Sequence, residues 1–345
     1  MNIHHTGVVA ALGAAALFGA STPIAKLLLT DITPWLLAGL LYLGSGIGLS
    51  VVRVMRGSKG DELARNDWPW MLGAVITGGI AGPVFLMWGL AGSTASTASL
   101  LLNAEGVFTA LIAWYVFREN FDRRIAFGMA VIVIGAIVLS WSGTAQLQSP
   151  WPPLAILAAC LCWGIDNNLT RKVSLSDPFQ IAAIKGLVAG ATNVTIALFV
   201  GMTIPAIDTI FLSLVVGFLG YGVSLSLFVI ALRDLGTARA GAYFSTAPFV
   251  GAIISIPLLG DPITIPFIVA GGLMAIGVWL HISERHYHKH EHKALEHTHA
   301  HDHNDGHHDH HHDVAPHGKH VHKHKHDPTR HTHSHYPDEH HRHDH

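Results

Sequence analysis

Ten stretches of about 20 mostly apolar residues fix what this chain can become, because that is the length a helix needs to cross the hydrocarbon of a bilayer. They cover residues 8–29, 32–54, 69–90, 94–117, 125–142, 152–172, 178–200, 209–232, 236–259 and 263–282. The expected fold class is therefore an all-α membrane protein with ten transmembrane helices. Glycine recurs within the stretches, as in GGIAG at 78–82 and GFLGYG at 217–222. In lipid such residues let helix backbones approach closely. Pro23, Pro83, Pro248 and Pro257 fall inside spans. There they kink a helix and free backbone carbonyls, which is tolerated where protein or a cavity covers them.

Composition matters chiefly through its distribution. Of the 28 histidines, none lies between Gly7 and Leu280, and 26 fall in the last 65 residues. The chain thus joins an apolar body to a polar tail. Up to Glu284 there are 13 basic and 13 acidic residues, so the body carries no basic surface for nucleic acid. Cys160 and Cys162 lie in one apolar run, two residues apart, and read as buried thiols. The N-terminal MNIHHTG has no Lys or Arg and the apolar stretch after it is too long for a signal-peptide core, so it reads as a retained first span.

Lys and Arg in short loops set orientation. Arg53, Arg56, Lys59 and Arg65, then Arg118, Arg123 and Arg124, then Arg171 and Lys172, then Arg233 and Arg239, all fall on one side. Both termini, and the tail, are expected to be cytoplasmic.

The halves also resemble each other. TASLLLNAEGVFTALIAWYVFREN (97–120) recurs 142 residues later as ARAGAYFSTAPFVGAIISIPLLGDP, pairing Glu119 with Asp261 and Gly135 with Gly277. Phe18-Gly19 pairs with Trp163-Gly164, and Pro34-Trp35 with Pro178-Phe179. Five spans per half is odd, so the second half is expected to be inverted relative to the first, with a substrate site at the interface near the midplane. The expected domains are a first repeat at 1–142, a second at 150–284 and an unfolded tail at 285–345.

On ALFGASTPIAK in the first span, RENFDRR (118–124), LLGDP (258–262) and APFVGAIIS in the ninth span, the body resembles two EamA repeats of the drug/metabolite transporter superfamily. The resemblance covers roughly residues 8–282. It implies a permease of the inner (plasma) membrane and not an enzyme, exporting a small metabolite or amino-acid-like solute. A transition-metal (Zn, Ni, Co) or metal-chelate transporter is one alternative reading, and a membrane-anchored metal buffer or sensor another. The repeats are not equivalent: Pro248 stands where the first half has Gly106, preceded by Glu105.

Ionisable residues at membrane depth are costly and are functional candidates by default. Glu105, with Asn103 nearby, reads as a proton-coupling carboxylate, a cation ligand or a partner for a substrate amine. The alternative is a buried carboxyl bonded to a neighbouring helix. Asp166 shares a helical face with Cys162 and Thr170 and is followed by Asn167; the alternative is a polar face nearing the cytoplasmic end. Lys185 either pairs with a buried acid or substrate, or snorkels, as Lys26 is expected to do. Substrate and coupling candidates are thus Glu105, Asn103, Asp166, Asn167 and Lys185. Glu119 and Asp261 read as helix caps, Asp261 ahead of Pro262.

The tail is too polar to bury a core and is expected to be disordered. Its alternating histidines, among them His299, His301, His303, His307, His308, His310, His311 and His312, suit Zn, Ni, Co or Cu. A tail that only changes charge with pH is the alternative. No cofactor is called for; a divalent transition metal on the tail is the one ion indicated. The expected partners are a small-molecule or ion substrate and the lipid bilayer. No nucleic acid is expected, and a homodimer is left open.

Overall fold

The computed structural model describes residues 3–57, 63–117, 123–141, 150–174, 176–235, 237–282, 287–292, 295–301, 320–326 and 329–334. The chain divides into two compact units, Met1–Glu284 and Arg285–His345. In the first, helical segments follow one another: α1 (Ile3–Leu28), α2 (Pro34–Arg56), α3 (Arg65–Ala91), α4 (Ala95–Tyr115) and α5 (Arg123–Trp141). After them come α6 (Trp151–Val173), α7 (Pro178–Phe199), α8 (Ile207–Leu235), α9 (Thr237–Phe244 with Ala247–Leu259) and α10 (Ile265–Ile282).

Local sequence sets the ends. Pro34 opens α2 after an extended Thr33, and Gly57 at φ 65° closes it. Pro178 opens α7, where the Asp177 carboxylate accepts from the Phe179 N–H at 3.0 Å. Gly260 ends α9 in the left-handed conformation. Asp261 does not cap the helix that follows it. Its carboxylate instead accepts from the Ser96 N–H at the start of α4, 2.7 Å away, while the Thr264 hydroxyl accepts from Phe267 in α10. Lys26 does not simply reach outward either: its ammonium donates to the Leu90 and Ala91 carbonyls at the end of α3, at 2.8 and 3.1 Å. Glu119 lies outside the described residues.

Among the described residues, seven helices are long and apolar enough to cross a membrane, against ten expected. Those seven are α1–α4 and α7–α9. Ala126–Ser140 in α5 and Ile265–Leu280 in α10 are shorter apolar helices. The polar run Asp166, Asn167, Asn168, Thr170, Arg171, Lys172 dilutes the hydropathy of α6.

Packing exchanges the halves. α2 lies on α7, α4 on α9 and α5 on α10, each against its counterpart; α1 lies on α8 and α9 as α6 lies on α3 and α4. Small residues make these crossings close. A Cβ on Gly186 of α7 would meet the Gly46 backbone of α2, and one on Gly190 would meet Leu43. Irregularities match as well. α3 contains a π-helical stretch at Val75–Ala81 and α8 one at Phe218–Val223. α4 breaks between Leu101 and Ala104, and α9 between Phe244 and Ala247. Two of the four have a proline cause: Pro83 cannot donate to Gly79, nor Pro248 to Phe244.

In the second unit, expected to be unfolded, the structure describes extended segments β1 (Tyr287–His292), β2 (Leu295–His301), β3 (His320–His326) and β4 (Thr329–Ser334). β1 pairs antiparallel with β4 and β2 with β3. Their sequence offers no apolar face to bury, and isolated two-stranded ribbons are marginal in water.

Candidate functional site

Two polar centres lie side by side on α6. The first is an ion pair. The Lys185 ammonium on α7 donates to both oxygens of Asp166, at 2.7 and 2.6 Å, and the Thr170 hydroxyl donates to the same carboxylate at 2.8 Å. Lys185 is 1% exposed and Asp166 4%, so the pair is sealed from solvent. It reaches into the π-helical stretch of α3, where Gly78 leaves room: a Cβ there would overlap the Asp166 carboxylate.

Pro83 leaves that stretch one helical donor short, and neighbouring helices donate to its carbonyls. The Tyr42 hydroxyl and the Trp163 indole N–H both donate to Gly78, at 2.6 and 3.0 Å. The Asn193 amide donates to Gly79 and Ile80, at 3.5 and 3.2 Å, while its oxygen accepts from the Trp35 indole at 3.3 Å. π-helical insertions of this kind concentrate at functional sites.

The second centre is at the break of α4. The Asn167 amide donates to the Glu105 carboxylate at 2.8 Å and to the Thr109 hydroxyl at 3.2 Å. Asn168 fixes the same crossing, donating to the Thr109 and Gly164 carbonyls at 3.1 and 2.8 Å. Glu105 and Asn167 are both partly accessible, unlike the pair beside them. The opposing break of α9 comes close: a Cβ on Gly106 would stand 3.3 Å from the Ser245 hydroxyl. Glu105 is thus a partly exposed residue at a helix break whose carboxylate can accept a proton or an ammonium group.

The structure therefore brings Asp166 together with Lys185, and Glu105 with Asn167. Asn103 stands apart, donating to the Leu100 carbonyl at 3.0 Å within the α4 break and towards Met274 sulfur at 3.7 Å. Cys160 is buried and its thiol faces the Leu101 carbonyl at 3.7 Å, which leaves it a packing role. Among the described residues no three His, Cys, Asp or Glu side chains are grouped to hold a metal ion. Of the tail candidates, His299 and His301 fall on β2, whereas His303, His307, His308, His310, His311 and His312 lie outside the described residues.

Tyr42, Thr109 and Asn193 were not singled out in the sequence. Asn193 could have been, as an amide deep in an apolar span. Tyr42 could not, since only the π-helical carbonyl opposite gives its hydroxyl a task.

Residues 5–141 and 150–283 each match the EamA-like transporter family. An uncharacterized transporter of Methanothermobacter thermautotrophicus is 26% identical over 292 residues, which span 79% of this chain and 85% of that protein. A protein of Salmonella typhimurium described as a probable amino-acid metabolite efflux pump is 26% identical over 212 residues, 55% of this chain and 68% of its own. One crystal structure, 15% identical, superposes with a TM-score of 0.64 over 80% of this chain and 98% of that one, a likeness of fold alone.

Proposed function

Since the chain belongs to the EamA-like transporter family, we propose that it is an inner-membrane permease of ten spans, two inverted five-helix repeats, that exports a small amino-acid-like metabolite. The exchange of contacts between the halves supports the repeat reading, as do the paired π-helical stretches and paired breaks. An odd number of spans per repeat then makes them antiparallel.

Glu105 carries the reading of the site. It is a partly exposed residue at a helix break, is held by Asn167, and is next in sequence to Gly106, which lies against Ser245 in the break of α9. It takes the ammonium of the solute or the coupling proton. The description of the Salmonella relative agrees with a solute of that class. The test is release of labelled amino acids from loaded proteoliposomes. Glu105→Gln keeps shape and hydrogen bonding but cannot ionise, so it should insert normally and lose export. Normal export by this variant removes Glu105 from the site.

The tail is proposed to bind divalent transition metal without taking part in basal export. Zinc titration of the whole chain should show several binding events that a chain ending at Glu284 lacks. They should weaken as pH falls, since protons compete for the same nitrogens. Equal zinc uptake by the two chains would remove the tail from metal binding.

A further inference from the structure

Asp166 and Asn167 are consecutive on α6 yet serve different partners: Asp166 is bound to Lys185 of α7, and Asn167 holds Glu105 of α4. The other half of the molecule shows what the same architecture looks like without the charges. Gly220 of α8 lies against Ser21 as Gly78 of α3 lies against Asp166. The pairing of Phe18-Gly19 with Trp163-Gly164 puts Ser21 in register with Asp166. The pairing of Pro34-Trp35 with Pro178-Phe179 puts Leu41 in register with Lys185. The contact of Gly190 with Leu43 becomes, under that same register, the contact of Gly46 with Leu187.

So one half carries a buried ion pair at the positions where the other carries serine and leucine. The fold does not require the charges. Nor are they a cheap source of stability, because desolvation offsets most of the attraction in a buried pair and apolar replacements are often neutral or better. What differs is the neighbouring helix. The counterpart of Glu105, 142 residues on, is Ala247. The ion pair occurs in the half that has a carboxylate to be held, one residue away along α6.

We infer that Lys185 is a positioning residue for Glu105: by clamping Asp166 from two oxygens it fixes the rotation of α6, so that the next side chain, Asn167, keeps its amide on the Glu105 carboxylate. A bidentate contact supplies that orientation, whereas serine and leucine at the corresponding positions have no charges with which to make one. The inference builds on the reading of Glu105 as the solute or proton site.

The test transplants the other half's solution, Asp166→Ser with Lys185→Leu, and reads two quantities. One is the apparent KM for export of labelled amino acids by purified protein in proteoliposomes. The other is the infrared carboxyl band of Glu105, identified by its loss in Glu105→Gln. The double variant should insert and melt like the parent. Its KM should rise about ten- to a hundredfold, the loss expected for one hydrogen bond to a charged group. Its Glu105 band should shift to where Asn167→Ala puts it, with no further shift when the changes are combined. Lys185→Arg, which keeps a bidentate cation, should hold both quantities near parental values. An unshifted band with parental KM overturns the inference. Failure of the double variant to insert overturns it too, since the pair is then a strut. If Glu105→Gln exports normally, the functional reading falls and the band alone decides the positioning role.

Discussion

At the scale of single residues, the costs of the two members of the ion pair are coupled. Lys185→Met leaves the Asp166 carboxylate buried with Thr170 as its one remaining hydrogen-bond partner among the described residues. Breaking a buried pair from one side costs about 3–5 kcal/mol, where replacing both members is close to neutral. The single variant should therefore melt well below the parent in detergent, and adding Asp166→Ser should recover most of the loss. A Lys185→Met protein as stable as the parent would show that Asp166 is not charged in the fold. Glu105 and Asp166 were legible in the sequence because a carboxylate in an apolar run needs a reason. Their partners were not fixed there. Lys185 had two readings open, and depth in the packed bundle separates them.

At the scale of elements, glycine decides how close helices come. Gly186 of α7 faces the Gly46 backbone of α2, and Gly44 of α2 faces Leu214 of α8, with no room for a side chain at either. Gly186→Ala should thus push α2 and α7 apart and destabilise by roughly 1–3 kcal/mol, the range for overpacking. Gly272→Ala on α10, where a Cβ would meet nothing, is the control and should melt like the parent. Equal melting of the two variants would contradict the close α2–α7 crossing. The glycine-rich runs at 78–82 and 217–222 were visible as close-packing sequence, but that both turn π-helical was not. In α3 the cause includes Pro83, whereas α8 reaches the same geometry without proline, through Gly217, Gly220 and Gly222 against α1 and α2. Asp261 gives the same lesson: its place before Pro262 suggested a local cap, and the structure uses it on α4 in the other half.

At the scale of the whole molecule, orientation follows from charge. Arg53, Arg56, Arg124, Arg171, Lys172 and Arg233 belong to the loops or helix ends that the ten-span reading puts on one side. The proposal that this side is cytoplasmic expects a periplasm-dependent reporter fused after Ser283 to stay silent and a cytoplasmic one to be active. The reverse pattern would move the tail to the periplasm and invert both repeats.

The sequence by itself determined the apolar spans, the twofold recurrence at an offset near 142, the candidate carboxylates and the split between body and tail. These depend on side-chain polarity and spacing, which a single chain displays directly. Only the tertiary structure decided that Asp166 belongs to Lys185 and Asn167 to Glu105, that the irregular turns of α3 and α8 correspond, and that Gly220 meets Ser21 as Gly78 meets Asp166. A residue's partner is set by helix rotation and by how closely backbones pack, and both come from contacts between residues far apart along the chain.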